Sequence, residues 1–184
     1  MTRILLITIL TFILYNSNAQ DDSSPFLAKT IKKTSLKSGP DSSSKVKLIL
    51  PVGTQLYVFS NNDQDGFIKV IDIKTNKLGY VRITSIKKIK DIPLSQSNSF
   101  EENGQSSGSE PEVVIKNRTS KTISLIVGSR YFSLPPHTTS TESIESGDLL
   151  YTASAPLVIP LSGRHYFKEG DKYSWTFIIT TSYH

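Results

Sequence analysis

The chain of 184 residues contains no cysteine, one methionine, one tryptophan and three histidines. The missing cysteines exclude disulfides, thiol nucleophiles, thiolate metal sites and lipid attachment at a cysteine. Small secreted eukaryotic domains lean on disulfides, so their absence in an exported chain favours a bacterial protein whose domains stand on their cores alone. Helical spacing of apolar residues over ten or more positions is missing after the first 19 residues. No long apolar run appears there either, so no transmembrane segment is expected beyond the N-terminus. Catalytic signatures are equally scarce: there is no Gly-x-Ser-x-Gly elbow and no His-Glu-x-x-His pair.

The N-terminus is organised for export. Arg3 is the only charge before Gln20, Ile4 to Tyr15 is apolar apart from Thr8 and Thr11, and small residues stand at Ser17 and Ala19. The apolar run spans about 18 Å as a helix, against roughly 30 Å of membrane hydrocarbon, so it is too short for an anchor. It reads as a signal peptide over residues 1–19, cleaved after Ala19. The expected location is therefore secreted or periplasmic.

Charge divides the remainder. Residues 20–93 carry 13 basic and 7 acidic side chains, residues 94–112 four glutamates and no base, and residues 113–184 seven basic and five acidic. Two breaks of sign point to two domains and a connector. Ser95 to Ser109 (SQSNSFEENGQSSGS) has one large apolar residue, Phe100, and composition assigns 94–112 as a flexible linker.

Strand signals lie on both sides, as Val, Ile, Tyr, Phe and Thr runs cut by Gly, Pro, Asn and Asp. In 20–93 strands are expected near Phe26–Ile31, Lys45–Leu50, Gln55–Ser60, Phe67–Asp72, Leu78–Arg82 and Lys87–Ile89. In 113–184 they are expected at Val113–Asn117, Thr122–Val127, Arg130–Ser133, Thr138–Ile144, Leu149–Ala153, Leu157–Ile159, His165–Phe167 and Tyr173–Thr180. Tyr173, Trp175, Phe177 and Ile179 alternate with Ser174, Thr176 and Thr180, which makes core packing the better role for Trp175. The fold class is all-β, with a small N-terminal barrel and a C-terminal antiparallel β-sandwich of immunoglobulin-like style.

Three pieces of the first domain carry a resemblance. Thr34-Ser35-Leu36-Lys37-Ser38-Gly39-Pro40 is followed by Ser-rich Asp41–Ser44. Leu50-Pro51-Val52-Gly53-Thr54 leads into Gln55-Leu56-Tyr57-Val58. Gly66-Phe67-Ile68-Lys69-Val70 precedes Gly79-Tyr80-Val81-Arg82. In this order they resemble the "LNVRSGP", "L-x-x-G-T-x-V-x-V", "GWxKV" and "GWV" segments of bacterial SH3 (SH3b) domains, over about 65 residues (25–90). Each glycine allows a tight turn where a side chain would clash. The resemblance implies an SH3-like barrel that attaches an exported protein to cell-wall or other envelope material and does no chemistry itself. The family's tryptophans are Phe67 and Tyr80 here, and its arginine is Lys37. These three are the candidate ligand-binding residues, with core or rim packing as the alternative for the two aromatics.

The second domain offers no recognisable site. His137 falls in a loop after Pro135-Pro136, His165 in a strand, and His184 ends the sequence. A two-histidine metal site with Asp148 or Asp171 is conceivable, but surface histidines are the plainer reading. Glu142, Glu145, Glu169 and Asp171 read as solvated charges, since glycosidase carboxylates are placed by a fold and not by adjacency. Asn117-Arg118-Thr119 fits an N-glycosylation acceptor, without meaning in most bacteria. No cofactor and no metal is expected. The expectation is a non-enzymatic binding protein whose partner is cell-wall peptidoglycan or another exported protein. The alternatives are an inhibitor of such a protein and a hydrolase with an unfamiliar site. The lysines of the first domain are dispersed and few adjoin an aromatic, which argues against nucleic acid and for anionic envelope polymers.

Overall fold

The computed structural model describes residues 24–95 and 99–179. The expected signal peptide lies outside the described residues. Among the described residues there are fifteen strands and one short 3-10 turn. The first seven are β1 (Phe26–Thr30), β2 (Thr34–Lys37), β3 (Val46–Leu50), β4 (Gln55–Val58), β5 (Phe67–Asp72), β6 (Lys77–Arg82) and β7 (Ile86–Asp91). They form one antiparallel sheet in the order β3-β2-β6-β5-β4-β1-β7, with β3 and β7 at its ends and no closed barrel. The remaining strands are β8 (Glu101–Gln105), β9 (Glu112–Asn117), β10 (Ile123–Val127), β11 (Arg130–Leu134), β12 (Thr139–Ser143), β13 (Gly147–Ser154), β14 (Leu161–Phe167) and β15 (Asp171–Phe177). They build two four-stranded sheets, β11-β10-β13-β14 and β12-β9-β15-β8, in which β9 and β15 run parallel.

Alternation explains both cores. Leu36, Leu56, Val58, Ile68, Val70 and Val81 project to one face of the first sheet and pack with Phe26, Ala28 and Leu50. Val113, Ile115, Leu125, Val127, Tyr151, Phe167, Tyr173 and Phe177 meet between the two smaller sheets. Trp175 packs against that core half-buried, while Ile179 is exposed, so the apolar face of β15 ends at Phe177.

Three expectations are corrected. Thr34–Lys37, absent from the expected strands, is strand β2. Leu157–Ile159, taken as a strand, is a turn, in which Leu157 adopts φ +64°. The stretch 94–112, taken as a flexible linker, contains strand β8, paired antiparallel to β15 through Tyr173↔Glu102 and Ser174↔Glu101. Composition misled there because every residue of β8 is exposed, so the strand's own residues hold it through backbone pairing. Phe100 supplies the rest. It is 2 % exposed and sits edge-on to Tyr151, Phe167 and Trp175 at centroid distances of 5.2, 4.9 and 4.8 Å. Such a buried ring contributes roughly 3–5 kcal/mol. Phe100→Ala is therefore expected to release β8 and open the 99–105 segment to trypsin-independent proteases such as Glu-C, with cleavage after Glu101 or Glu102 rising at least tenfold. Equal cleavage rates in the variant and the parent would show that Phe100 does not hold the strand.

The halves also touch. Ser95 N–H donates to the Ser162 carbonyl at 2.6 Å and forms a parallel bridge to Gly163 on β14. Leu157 N–H donates to the Ile73 carbonyl at 2.8 Å. Asn76 Nδ2 donates to Ser124 Oγ at 3.0 Å and the Ser154 carbonyl at 3.4 Å. The Tyr57 hydroxyl bonds Ser162 Oγ, which also bonds Thr152 Oγ1 at 2.6 Å. Ser124, Thr152, Ser154 and Ser162 are buried, although they lie on the face of β10, β13 and β14 that points away from the sandwich core. They give that sheet a small, hydroxylated back against which the first sheet rests.

Candidate binding face

The outer face of the first sheet is divided by strand register into successive cross-strand rows. One row reads Leu78–Ile71–Tyr57–Leu27 across β6, β5, β4 and β1. It is apolar, joins Ile73 in a second cluster, and is covered at Tyr57 and Ile73 by the hydroxylated sheet. Two residues along each strand, the next row reads Lys37–Tyr80–Lys69 across β2, β6 and β5. It continues to Phe59, whose N–H donates to the Lys69 carbonyl at 3.4 Å. All four side chains are half-buried. The third row pairs Phe67 with Arg82.

Cations and aromatic rings interleave here. Lys69 Nζ stands 5.2 Å from the Phe59 ring centre, and the Arg82 guanidinium 4.7 Å from that of Phe67. Each contact is worth about 0.5–1 kcal/mol at an exposed site. Arg82 Nη2 also donates to Ser42 Oγ at 2.5 Å. Phe59 stands edge-on to Tyr57 at 5.5 Å and thus joins the open row to the covered one.

The three expected residues therefore share one face but differ in role. Tyr80 is central to the open row and keeps part of its ring accessible. Phe67 is 3 % exposed and lies beneath Arg82, so it acts as packing, the alternative weighed for it. Lys37 is turned inward: its Nζ donates to the Ser42 and Ser44 carbonyls at 2.7 and 3.0 Å. It closes the loop at Asp41–Ser44 from one side. Asp41 closes it from the other, accepting from the Ser43 and Ser44 N–H groups at 2.8 and 2.6 Å and from both hydroxyls. Hydrogen bonds from Ser44 and Ser43 hold the Asp41 carboxyl at about 2. Sequence reasoning missed Phe59, Lys69 and Arg82. The signal was available in the i, i+2 spacing of Phe67 and Lys69 and of Tyr80 and Arg82, which puts each pair on one face.

Glycines position the row in two ways. Gly53 and Gly66 have φ of +83° and +76° and serve turns, as expected. Gly79 does not. A Cβ there would lie 2.5 Å from the Lys37 carbonyl oxygen and 2.8 Å from Leu36 Cγ, so the glycine admits β2 close to β6 and sets Lys37 opposite Tyr80.

In the second half the histidine and carboxylate readings resolve by burial. His165 is not at the surface: its ring is wedged between Phe100, Phe167 and Tyr173 at 5.3, 4.6 and 5.1 Å. Burial holds its pKa below the ordinary value, only partly opposed by Glu102. Glu142 bonds Ser140, Glu145 bonds Ser129 at 2.7 Å, and Asp171 pairs with Lys168 at 3.7 Å. Among the described residues no group of three or more His, Asp or Glu side chains is placed to hold a metal, and no helix is long and apolar enough to cross a membrane. Asn117 of the Asn-Arg-Thr triplet is fully buried, with its amide spent on backbone carbonyls. Compared with protein-family models, with curated proteins and with solved structures, the chain finds no match.

Proposed function

We propose that this is an exported, non-enzymatic binding protein that contacts cell-wall peptidoglycan through the outer face of its N-terminal, SH3b-like half. The observation that carries the reading is the half-exposed row Lys37–Tyr80–Lys69–Phe59, flanked by Phe67 and Arg82. A sugar ring offers apolar C–H faces to an aromatic and hydroxyls to charged neighbours. Anionic groups of a peptide stem or wall polymer meet the cations. The motif order quoted above supports the family likeness, and the signal-like N-terminus supports export. The small barrel expected of an SH3b domain belongs to the same proposal.

The two attractions separate with salt. Charge contacts fade at a Debye length of about 8 Å at physiological ionic strength and about 3 Å at 1 M. Ring packing does not. In pull-downs of the purified protein on isolated peptidoglycan, Tyr80→Ala is expected to weaken retention roughly tenfold at low and high salt alike, with an unchanged melting temperature, matching about 1–2 kcal/mol of lost aromatic contact. Lys69→Gln with Arg82→Gln is expected to weaken it at low salt only. Retention of Tyr80→Ala equal to that of the parent at both salts would remove the row from binding.

A further inference from the structure

We propose a second binding site, for a segment of acidic polysaccharide, in the cleft between edge strand β3 of the first sheet and edge strand β11 of the second. The cleft has a volume of about 610 Å³ and is walled by Lys45 and Lys47 on one bank, Lys77 and Leu78 at the base, and Tyr131 on the other bank. Its charge is of one sign. No carboxylate lines it, and none of the three lysines makes an ion pair among the described residues. Lys47 Nζ donates to the Leu78 carbonyl at 2.9 Å, which leaves two of its three protons for a guest. Three ammonium groups around one cleft repel each other and gain when an anion enters between them.

The opposite bank is aromatic. Tyr131 is 52 % exposed, and its hydroxyl shares a 3.0 Å hydrogen bond with Ser124 Oγ. Ser124 also accepts from Asn76 Nδ2, so a relay Asn76–Ser124–Tyr131 crosses the floor and fixes the two banks relative to each other. Asn76 itself lines the cleft beside Lys77 and is held by these bonds. Cations on one bank and an exposed ring fixed by its hydroxyl on the other are together the requirements of a sugar bearing negative charge. A simple anion would use only the lysines, and a neutral sugar only Tyr131. The Lys37–Tyr80 row is a separate feature that shares none of these side chains, so the two sites fail independently.

Isothermal titration of the full chain with a carboxylate-bearing oligogalacturonate tests the site, with neutral chitotetraose and inorganic phosphate as controls. The acidic oligosaccharide is expected to bind more tightly than either control. Its affinity is expected to fall roughly tenfold between about 50 mM and 200 mM salt as counterions compete. The triple variant Lys45→Gln/Lys47→Gln/Lys77→Gln, all surface changes, is expected to lose at least tenfold and most of the salt dependence. Tyr131→Ala is expected to weaken binding several-fold at both salts, and Tyr80→Ala to leave it unchanged. Equal binding of chitotetraose or phosphate, an unaffected triple variant, no heat with the oligogalacturonate, or capture of an extended peptide along β3 in its place would overturn the proposal. If Tyr80→Ala removes both peptidoglycan and oligogalacturonate binding, there is one site and it is not this cleft.

Discussion

Replacing Asn117 by alanine is expected to destabilise the second half by about 2–4 kcal/mol, because each buried backbone group left without a partner costs about 1–3 kcal/mol. Asn117 ends β9 and ties three chain segments together. Its Nδ2 donates to the carbonyls of Lys121, Leu134 and Pro135 at 2.8, 3.0 and 2.8 Å. Its Oδ1 accepts from the Thr119 N–H and hydroxyl at 2.9 and 2.8 Å. Alanine takes this partner from the Thr119 N–H and the Leu134 carbonyl where Asn117 is fully buried, while the Lys121 and Pro135 carbonyls keep the hydroxyls of Thr119 and Thr138 at 3.0 and 2.7 Å. The melting temperature is expected to fall by roughly 6–12 °C for a domain pair of this size. Asn117→Asp is expected to fall as well, since it loses the donors and buries a charge. A shift within about 2 °C for the alanine variant would show the hub to be dispensable. The same geometry closes the glycosylation reading: a glycan on Nδ2 would displace the bonds that hold the corner.

Tyr57 is expected to couple the two halves. Its ring is fully buried in the Leu78–Ile71–Tyr57–Leu27 row, and its hydroxyl reaches Ser162 on β14. Tyr57→Ala removes a buried ring at a cost of about 3–5 kcal/mol and is expected to split one calorimetric transition into two. Tyr57→Phe keeps the ring and leaves Ser162 bonded to Thr152 at 2.6 Å, so it is expected to cost only about 1 kcal/mol and keep one transition. Alkali gives an independent measure. Burial raises the Tyr57 phenol from 10.0 to about 12, against the opposing pull of Ser162 and Thr152. The folded protein then retains a proton that the unfolded chain releases. The contribution is whole below pH 10 and is lost as pH rises through about 12, up to about 3 kcal/mol. The difference between parent and Tyr57→Phe stability, followed from pH 9 to pH 12, isolates this term from the other tyrosines and the lysines. Parallel curves would place the hydroxyl outside the coupling.

Strands with buried alternating faces were legible in the sequence. β5, β9 and β10 lie within a residue or so of their expected bounds, because Val, Ile and Phe at period two leave little choice of register. β8 was not legible, since its five residues are all exposed and backbone pairing with β15 and the adjoining anchor Phe100 hold it. Docking of the halves was hidden for a related reason. The hydroxyl-bearing residues Ser124, Thr152, Ser154 and Ser162 carry the pattern of a solvent-facing strand, yet they are buried against Tyr57, Ile73 and Asn76. A small hydroxylated surface serves water or another protein surface equally well. For the candidate face, motif spacing led to Tyr80 but not to the neighbours that complete the row. Lys69 comes from β5 and Phe59 from the residue after β4, and cross-strand register is a property of the folded sheet.

Register divides one sheet face into a covered row and an open row, and the open row is the proposed ligand-binding surface. Hydroxyl-radical footprinting of the full chain, read by mass spectrometry with and without isolated peptidoglycan, addresses both rows. Without the wall polymer, Tyr57 is expected to label far more slowly than Tyr80, and Tyr166, 65 % exposed, fastest of the three. With it, labelling of Tyr80 and Phe59 is expected to fall several-fold while Tyr166 is unchanged. Rapid labelling of Tyr57 in the free protein, or Tyr80 labelling that peptidoglycan leaves untouched, would contradict the account.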